Sequence, residues 1–158
     1  MAARRALPAR DVLPYILAQC ASSVAGAMPA NLMFDLPALQ IATNQRAGPG
    51  QWISETIAIF SLIGAILGGL RHAPNAVPQL VALTTTAAYW FTASTSFANP
   101  AVTIARMFFD TFAGIAPASA PAFIAAQIIG AAIAAFLCGW VFANTAQDGL
   151  QPRPFAPR

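Results

Sequence analysis

Four stretches of this chain, residues 12–34, 51–70, 76–98 and 120–143, run on for the length of a membrane crossing with one charge among them, Glu55. A crossing takes about 20 apolar residues, and inside lipid every backbone polar group must be satisfied within the protein. Such a chain has little choice but to build transmembrane helices. The charged residues sit almost entirely in the short connectors. The balance of 58% apolar and 8% charged residues, with a mean hydropathy of +0.62, excludes an ordinary soluble domain. Its eight basic residues are all arginine, and because they are scattered over connectors rather than gathered on a face with aromatics, nucleic acid is set aside as a partner. Cys20 and Cys138 lie inside apolar runs and read as small packing residues; neither a disulfide framework nor a metal site is implied.

Arginine placement gives the sidedness. Arg4, Arg5 and Arg10 precede the first run, Arg71 lies between the second and third, and Arg153 and Arg158 follow the fourth; Arg46 stands alone on the opposite side. Four spans then place both termini in the cytoplasm of a multi-pass protein of the cell's inner membrane. The first run holds Pro14 and Gln19 and is too long for a cleaved leader, so it reads as a span. Residues 144–158, polar and containing Pro152, Pro154 and Pro157, have the composition of a disordered cytoplasmic tail to a channel-like domain at 1–143.

Residues 99–109 form a fifth apolar piece, too short to cross and opening with Asn99-Pro100-Ala101. Asn99 suits a helix N-cap and Pro100 the first helical position, where a missing N–H costs nothing. A half-helix starting at membrane depth would aim its N–H groups, its macrodipole and the Asn99 amide at a pore, repelling cations and passing neutral hydrogen-bonding solutes. Glu55, costly in lipid, would accept N–H groups from the irregular Ser94-Thr95-Ser96 approach and support that loop.

The chain also resembles itself. Tyr15-Ile-Leu-Ala-Gln19 and Phe123-Ile-Ala-Ala-Gln127 match at a fixed offset, and both glutamines are expected to point into the bundle. The same offset places the partner of Asn99 before Met1. One complete unit and the last third of another are therefore expected. Units with odd span counts must pair in inverted topology, with the site at their interface. The fold class expected is an all-α membrane protein, four transmembrane helices and one re-entrant half-helix, in a partial inverted-repeat bundle.

Ser96-Phe-Ala-Asn-Pro-Ala101, the acid in the second run, the paired Ala-Gln helices and the span order resemble the aquaporins, the major intrinsic proteins that conduct water, glycerol and other neutral solutes. The likeness covers the chain to about residue 143 and implies spans three to six with the second half-helix, Met1 being an internal start of an N-terminally truncated form, and a homotetramer when complete. Where most members carry a filter arginine this chain has Val102; the family's spacing puts the other filter positions at Ala87 and Ser96. That lining implies a wide constriction for glycerol-sized solutes. With Asp110-Thr-Phe-Ala-Gly-Ile115 it resembles bacterial members linked to arsenic resistance, whose solutes would include undissociated arsenite. Arg106 either restores charge at the outer mouth or pairs with Asp110 four residues on, and the local pair is expected.

No cofactor is implied, and one acid with no histidine in the spans leaves hydrolytic chemistry without its groups. The rival to a channel is a truncated or non-conducting membrane subunit. His72 is expected in a solvated connector, Gly64 and Gly68 on a helix-packing face, Tyr89 and Trp90 deep in the third span against neighbouring helices, and Trp52 and Trp140 at interfaces.

Overall fold

A computed structural model describes residues 8–148, with the helical backbone alone for 143–148. Its described residues form five α-helices and no strand: α1 (Ala9–Leu32), α2 (Pro49–His72), α3 (Val77–Phe91), α4 (Pro100–Arg106) and α5 (Ala120–Asp148). α1, α2 and the Ala120–Phe142 part of α5 are long and apolar enough to cross a membrane. The helix α5 continues five residues past the 143 boundary expected for the domain, and the proline-bearing part of the tail lies outside the described residues, as do Arg4 and Arg5.

The third expected span is shorter than its apolar run. After a 3-10 turn at Pro74–Ala76, α3 holds 15 residues, about 22 Å of helix. It stops at Phe91 because the chain beyond it leaves helical space, with Thr95, Ser96 and Ala98 all at positive φ. Hydropathy alone does not register that break. Tyr89 and Trp90 consequently stand at the end of α3, half-exposed and 88% exposed, rather than deep among neighbouring helices.

α2 packs along most of α5, α3 lies on α2, and α1 packs on α4. The tightest helix contact is at Gly130, where a methyl group would collide with the Thr56 carbonyl and the Ile59 side chain of α2. Small residues permit such backbone approach where hydrophobic burial cannot drive association. Gly64 and Gly68 also face α5, opposite Cys138 and Phe142, at ordinary contact distance. Large side chains such as Leu17, Leu83 and Phe136 point outward, as the lipid face of a bundle requires.

Two connectors interlock at one end. Ala42 N–H donates to the Met107 carbonyl at 2.8 Å and Ala116 N–H to the Asn44 carbonyl at 2.7 Å, while Asn31 Nδ2 at the end of α1 donates to Phe108 O at 3.0 Å. Gly114 is required in this seam, since any Cβ would run into the Phe109 carbonyl. The end of α3 sits at the same end of the bundle, because Ala93 N–H donates to Ser54 Oγ in the second turn of α2. From there the chain descends through residues 92–98, turns at Asn99 and returns along α4 to Met107 at the seam. Entry and exit on one side make the segment re-entrant.

Candidate functional site

Residues 92–98 have no ladder or helix to satisfy their backbone, and three of them adopt a left-handed conformation without being glycine: Thr95 at φ 60°, Ser96 at 43° and Ala98 at 48°. Each costs about 1–3 kcal/mol and persists only where its surroundings dictate it. The surroundings here centre on Glu55, 0% exposed, six residues or about 9 Å into α2. Its Oε1 accepts the Phe97 N–H at 2.8 Å, and Oε2 accepts the Ala98 N–H at 3.0 Å and Gln127 Nε2 at 2.7 Å. A carboxylate is acceptor-only, so three converging donors suit it as no amide or hydroxyl would. Among the described residues no donor pairs with the Thr95, Ser96, Phe97 or Ala98 carbonyls.

The loop delivers Asn99 in extended conformation, φ −160°, to the start of α4. Its Oδ1 accepts the Ala101 N–H at 2.8 Å, and its carbonyl accepts from Thr103 N–H at 3.0 Å. The cap thereby fixes the amide plane and leaves Nδ2 as a donor with no protein partner among the described residues. Pro100 follows at the first helical position, exposed, with Ala101 buried behind it. Gln127 of α5, 1% exposed, joins the pieces by donating to Thr103 Oγ1 at 2.9 Å as well as to Glu55. One amide thus ties α5 to both α2 and α4. Gln19, its counterpart in the repeat, is exposed: α1 packs on α4, and no described element covers that part of α1.

Arg46 was legible in the sequence only as a sidedness marker, and the structure gives it far more to do. The guanidinium donates to the carbonyls of Gly114 (2.7 Å), Ser94 (3.1 Å) and Phe112 (2.6 Å), lies over the Phe97 ring at 5.2 Å, and the Arg46 N–H donates to Ser119 Oγ at 3.1 Å. At 7% exposure it ties its own connector to two other loops through their carbonyls. Burial, and then the nearby Arg106 charge, depress its affinity for the proton, with Glu55 acting in the opposite sense. Nothing in the residue pattern of Asn44-Gln45-Arg46 announces this clamp.

Over 135 residues, 85% of this chain, the sequence is 52% identical to aquaglyceroporin AqpS of Rhizobium meliloti (strain 1021). The chain belongs to the aquaporin family. It spans 58% of that relative's length. No family model matches, and no solved structure matches. As an aquaporin-family chain with three apolar crossing helices it is a multi-pass membrane protein.

Within this aquaporin chain the positions singled out for a filter are spread over two helices and the loop between them. Ser96 is buried in the left-handed loop, Ala87 is exposed on α3, and Val102 is half-buried on α4 against a cluster of Phe97, Ile115, Ala120 and Phe123. The expected Arg106–Asp110 pair is not formed. α4 ends at Arg106, so the two are not one helical turn apart, and Asp110 instead accepts the Thr43 N–H and Oγ1, each at 2.8 Å. Those two hydrogen bonds hold the Asp110 carboxyl below the usual carboxylate range. Arg106 turns toward Tyr89, donating from Nη2 to the phenol oxygen at 3.1 Å, with its guanidinium 4.3 Å from the Phe97 ring centre.

Proposed function

We propose that this chain forms part of a passive channel for small neutral solutes, namely water, glycerol and undissociated arsenite-type metalloid acids, with Asn99-Pro100-Ala101 on its pore wall. The observation that carries this reading is the Glu55-held loop that presents Asn99 with its oxygen committed to the α4 cap and its Nδ2 left to donate. A solute leaving water must exchange hydrogen bonds as it goes. The unpaired carbonyls of residues 95–98 offer acceptors and the Asn99 amide a donor, in the order such a solute would need them. Beside the Asn99 loop the carboxylate is Glu55, and it is saturated by donors, so it offers a cation no free oxygen.

The similar protein of Rhizobium meliloti is an aquaglyceroporin, which supports the polyol class. Ala87, Ser96 and Val102 are the filter residues of this reading, small enough for glycerol, and Arg106 is its outer-mouth charge. The interlocked connectors face the outside and both termini the cytoplasm of the inner membrane, with a homotetramer as the assembled form. The test is solute-driven swelling of vesicles holding the intact natural polypeptide. Glycerol and arsenite fluxes well above empty vesicles, falling when Asn99→Leu removes the donor, are expected; fluxes equal to empty vesicles would refute the reading.

A further inference from the structure

The re-entrant segment carries two kinds of hydrogen-bonding group, and two different anchors hold them. Glu55 on α2 places the acceptor carbonyls of residues 95–98 through the Phe97 and Ala98 N–H groups. The Asn99 donor is placed by α4, whose cap fixes the side-chain amide, and α4 itself packs on α1 and α5. Donor and acceptors keep one spacing only if α4 is tied to Glu55. A single nitrogen makes that tie: Gln127 Nε2 gives one proton to Glu55 Oε2 at 2.7 Å and the other to Thr103 Oγ1 at 2.9 Å. The carboxylate accepts only, so it dictates which end of the Gln127 amide faces it.

Thr103 carries the tie on to Asn99. Its hydroxyl, having accepted from Gln127, donates to the Asn99 carbonyl one turn back at 3.1 Å, a bond that threonine can make within a helix. Gln127 Oε1 lies 3.3 Å from the same hydroxyl but belongs to the amide already donating there, so the line runs one way, from Gln127 through Thr103 to Asn99. The Thr103 N–H reaches that carbonyl as well, at 3.0 Å, which fills both of its lone pairs and withdraws it from the acceptor row. Glu55, Gln127 and Thr103 are each at most 1% exposed, so water does not replace a lost member of the line.

We propose that Gln127 and Thr103 are positioning residues for solute selection: they hold the Asn99 donor at a fixed distance from the loop acceptors, and a solute with hydroxyls on successive carbons reads that distance. Water, which occupies one position at a time, does not read it. That a solute passes here rests on the proposed function; the tie itself rests on the hydrogen bonds.

The test takes the intact natural polypeptide and measures the ratio of glycerol to water permeability in vesicles, a quantity that does not change when fewer channels fold. Thr103→Val, equal in size but without the hydroxyl, should lower the ratio about fivefold, the worth of one neutral hydrogen bond. Gln127→Met should lower it too, and Thr103→Ser should keep it. In micelles, the nitrogen-15 signal of the Asn99 side-chain amide, identified by its loss in Asn99→Leu, should move in Thr103→Val and Gln127→Met and stay in Thr103→Ser. A native ratio in both Thr103→Val and Gln127→Met, or an Asn99 signal that neither displaces, overturns the inference. Native protein with no flux above empty vesicles but a displaced Asn99 signal in those variants would sink the channel reading and leave the tie standing; flux with an unmoved signal would do the reverse.

Discussion

Glu55 shows why one residue can decide a loop. Its two oxygens receive the Phe97 and Ala98 N–H groups from a segment that has no other way to satisfy them, and the left-handed residues on either side are held by that contact. Replacing Glu55 by Gln keeps the shape but turns one acceptor into a donor facing a donor. An unpaired buried N–H costs about 1–3 kcal/mol, so Glu55→Gln should lower the stability of the purified protein by roughly that amount in a denaturation series, and equal stability would show that the loop is held otherwise. Asp110 makes a pH-dependent counterpart in the seam. Its carboxyl is depressed by the Thr43 bonds, so its contribution is present above the unfolded pKa of about 3.9 and is lost as pH falls through the lower folded value. Hydrogen exchange at the Thr43 amide, corrected for intrinsic rate, should lose protection on acidification below about pH 4. In Asp110→Asn that dependence should be absent.

Helices were the most readable elements and their ends the least. α1, α2 and α5 follow their apolar runs because length and composition suffice to call a crossing, and Asn99-Pro100 marks the start of α4 because a cap and a first-turn proline are local chemistry. α3 ends early for a reason hydropathy does not carry: Thr92 to Ala98 is apolar enough to span, but its backbone is pinned by Glu55 and Arg46 from elsewhere in the chain. The same non-local cause hid the Arg46 clamp and dissolved the Arg106–Asp110 pair. Gly130 was equally silent, since the alanine-rich face around it looks uniform and only the neighbouring Thr56 carbonyl sets it apart. Enlarging it should force α2 and α5 apart. Overpacking of this kind costs about 1–3 kcal/mol, so Gly130→Ala should be destabilising in a thermal melt, whereas Gly139→Ala on the same helix, with open space around it, should be neutral or slightly stabilising. Equal effects at the two positions would mean the close contact is not a constraint.

For the molecule as a whole, the two connectors at the seam and the polar loop they hold share one end of the bundle, and the C-terminal turn of α2, with Arg71 and His72, takes the other together with the α2–α3 turn. The proposed orientation puts the second end in the cytoplasm, on the ground that basic residues are retained on that side of short-looped spans. The buried Arg46 does not weaken that count: its charge is spent on loop carbonyls inside the fold rather than displayed in a connector. Sidedness therefore predicts which surface meets solute first, and it is open to a direct check. Cys20 and Cys138 are both free and can be changed to serine to give a silent background. In that background Asp35→Cys, exposed on the 33–48 connector, should react with a membrane-impermeant maleimide in cells whose inner membrane is intact but whose outer barrier has been opened. Asn75→Cys, exposed in the α2–α3 turn, should react only after the inner membrane is permeabilised. The opposite labelling pattern would invert the bundle, placing Arg106 and the entrance to the Asn99 loop on the cytoplasmic face and making the proposed channel mouth an exit.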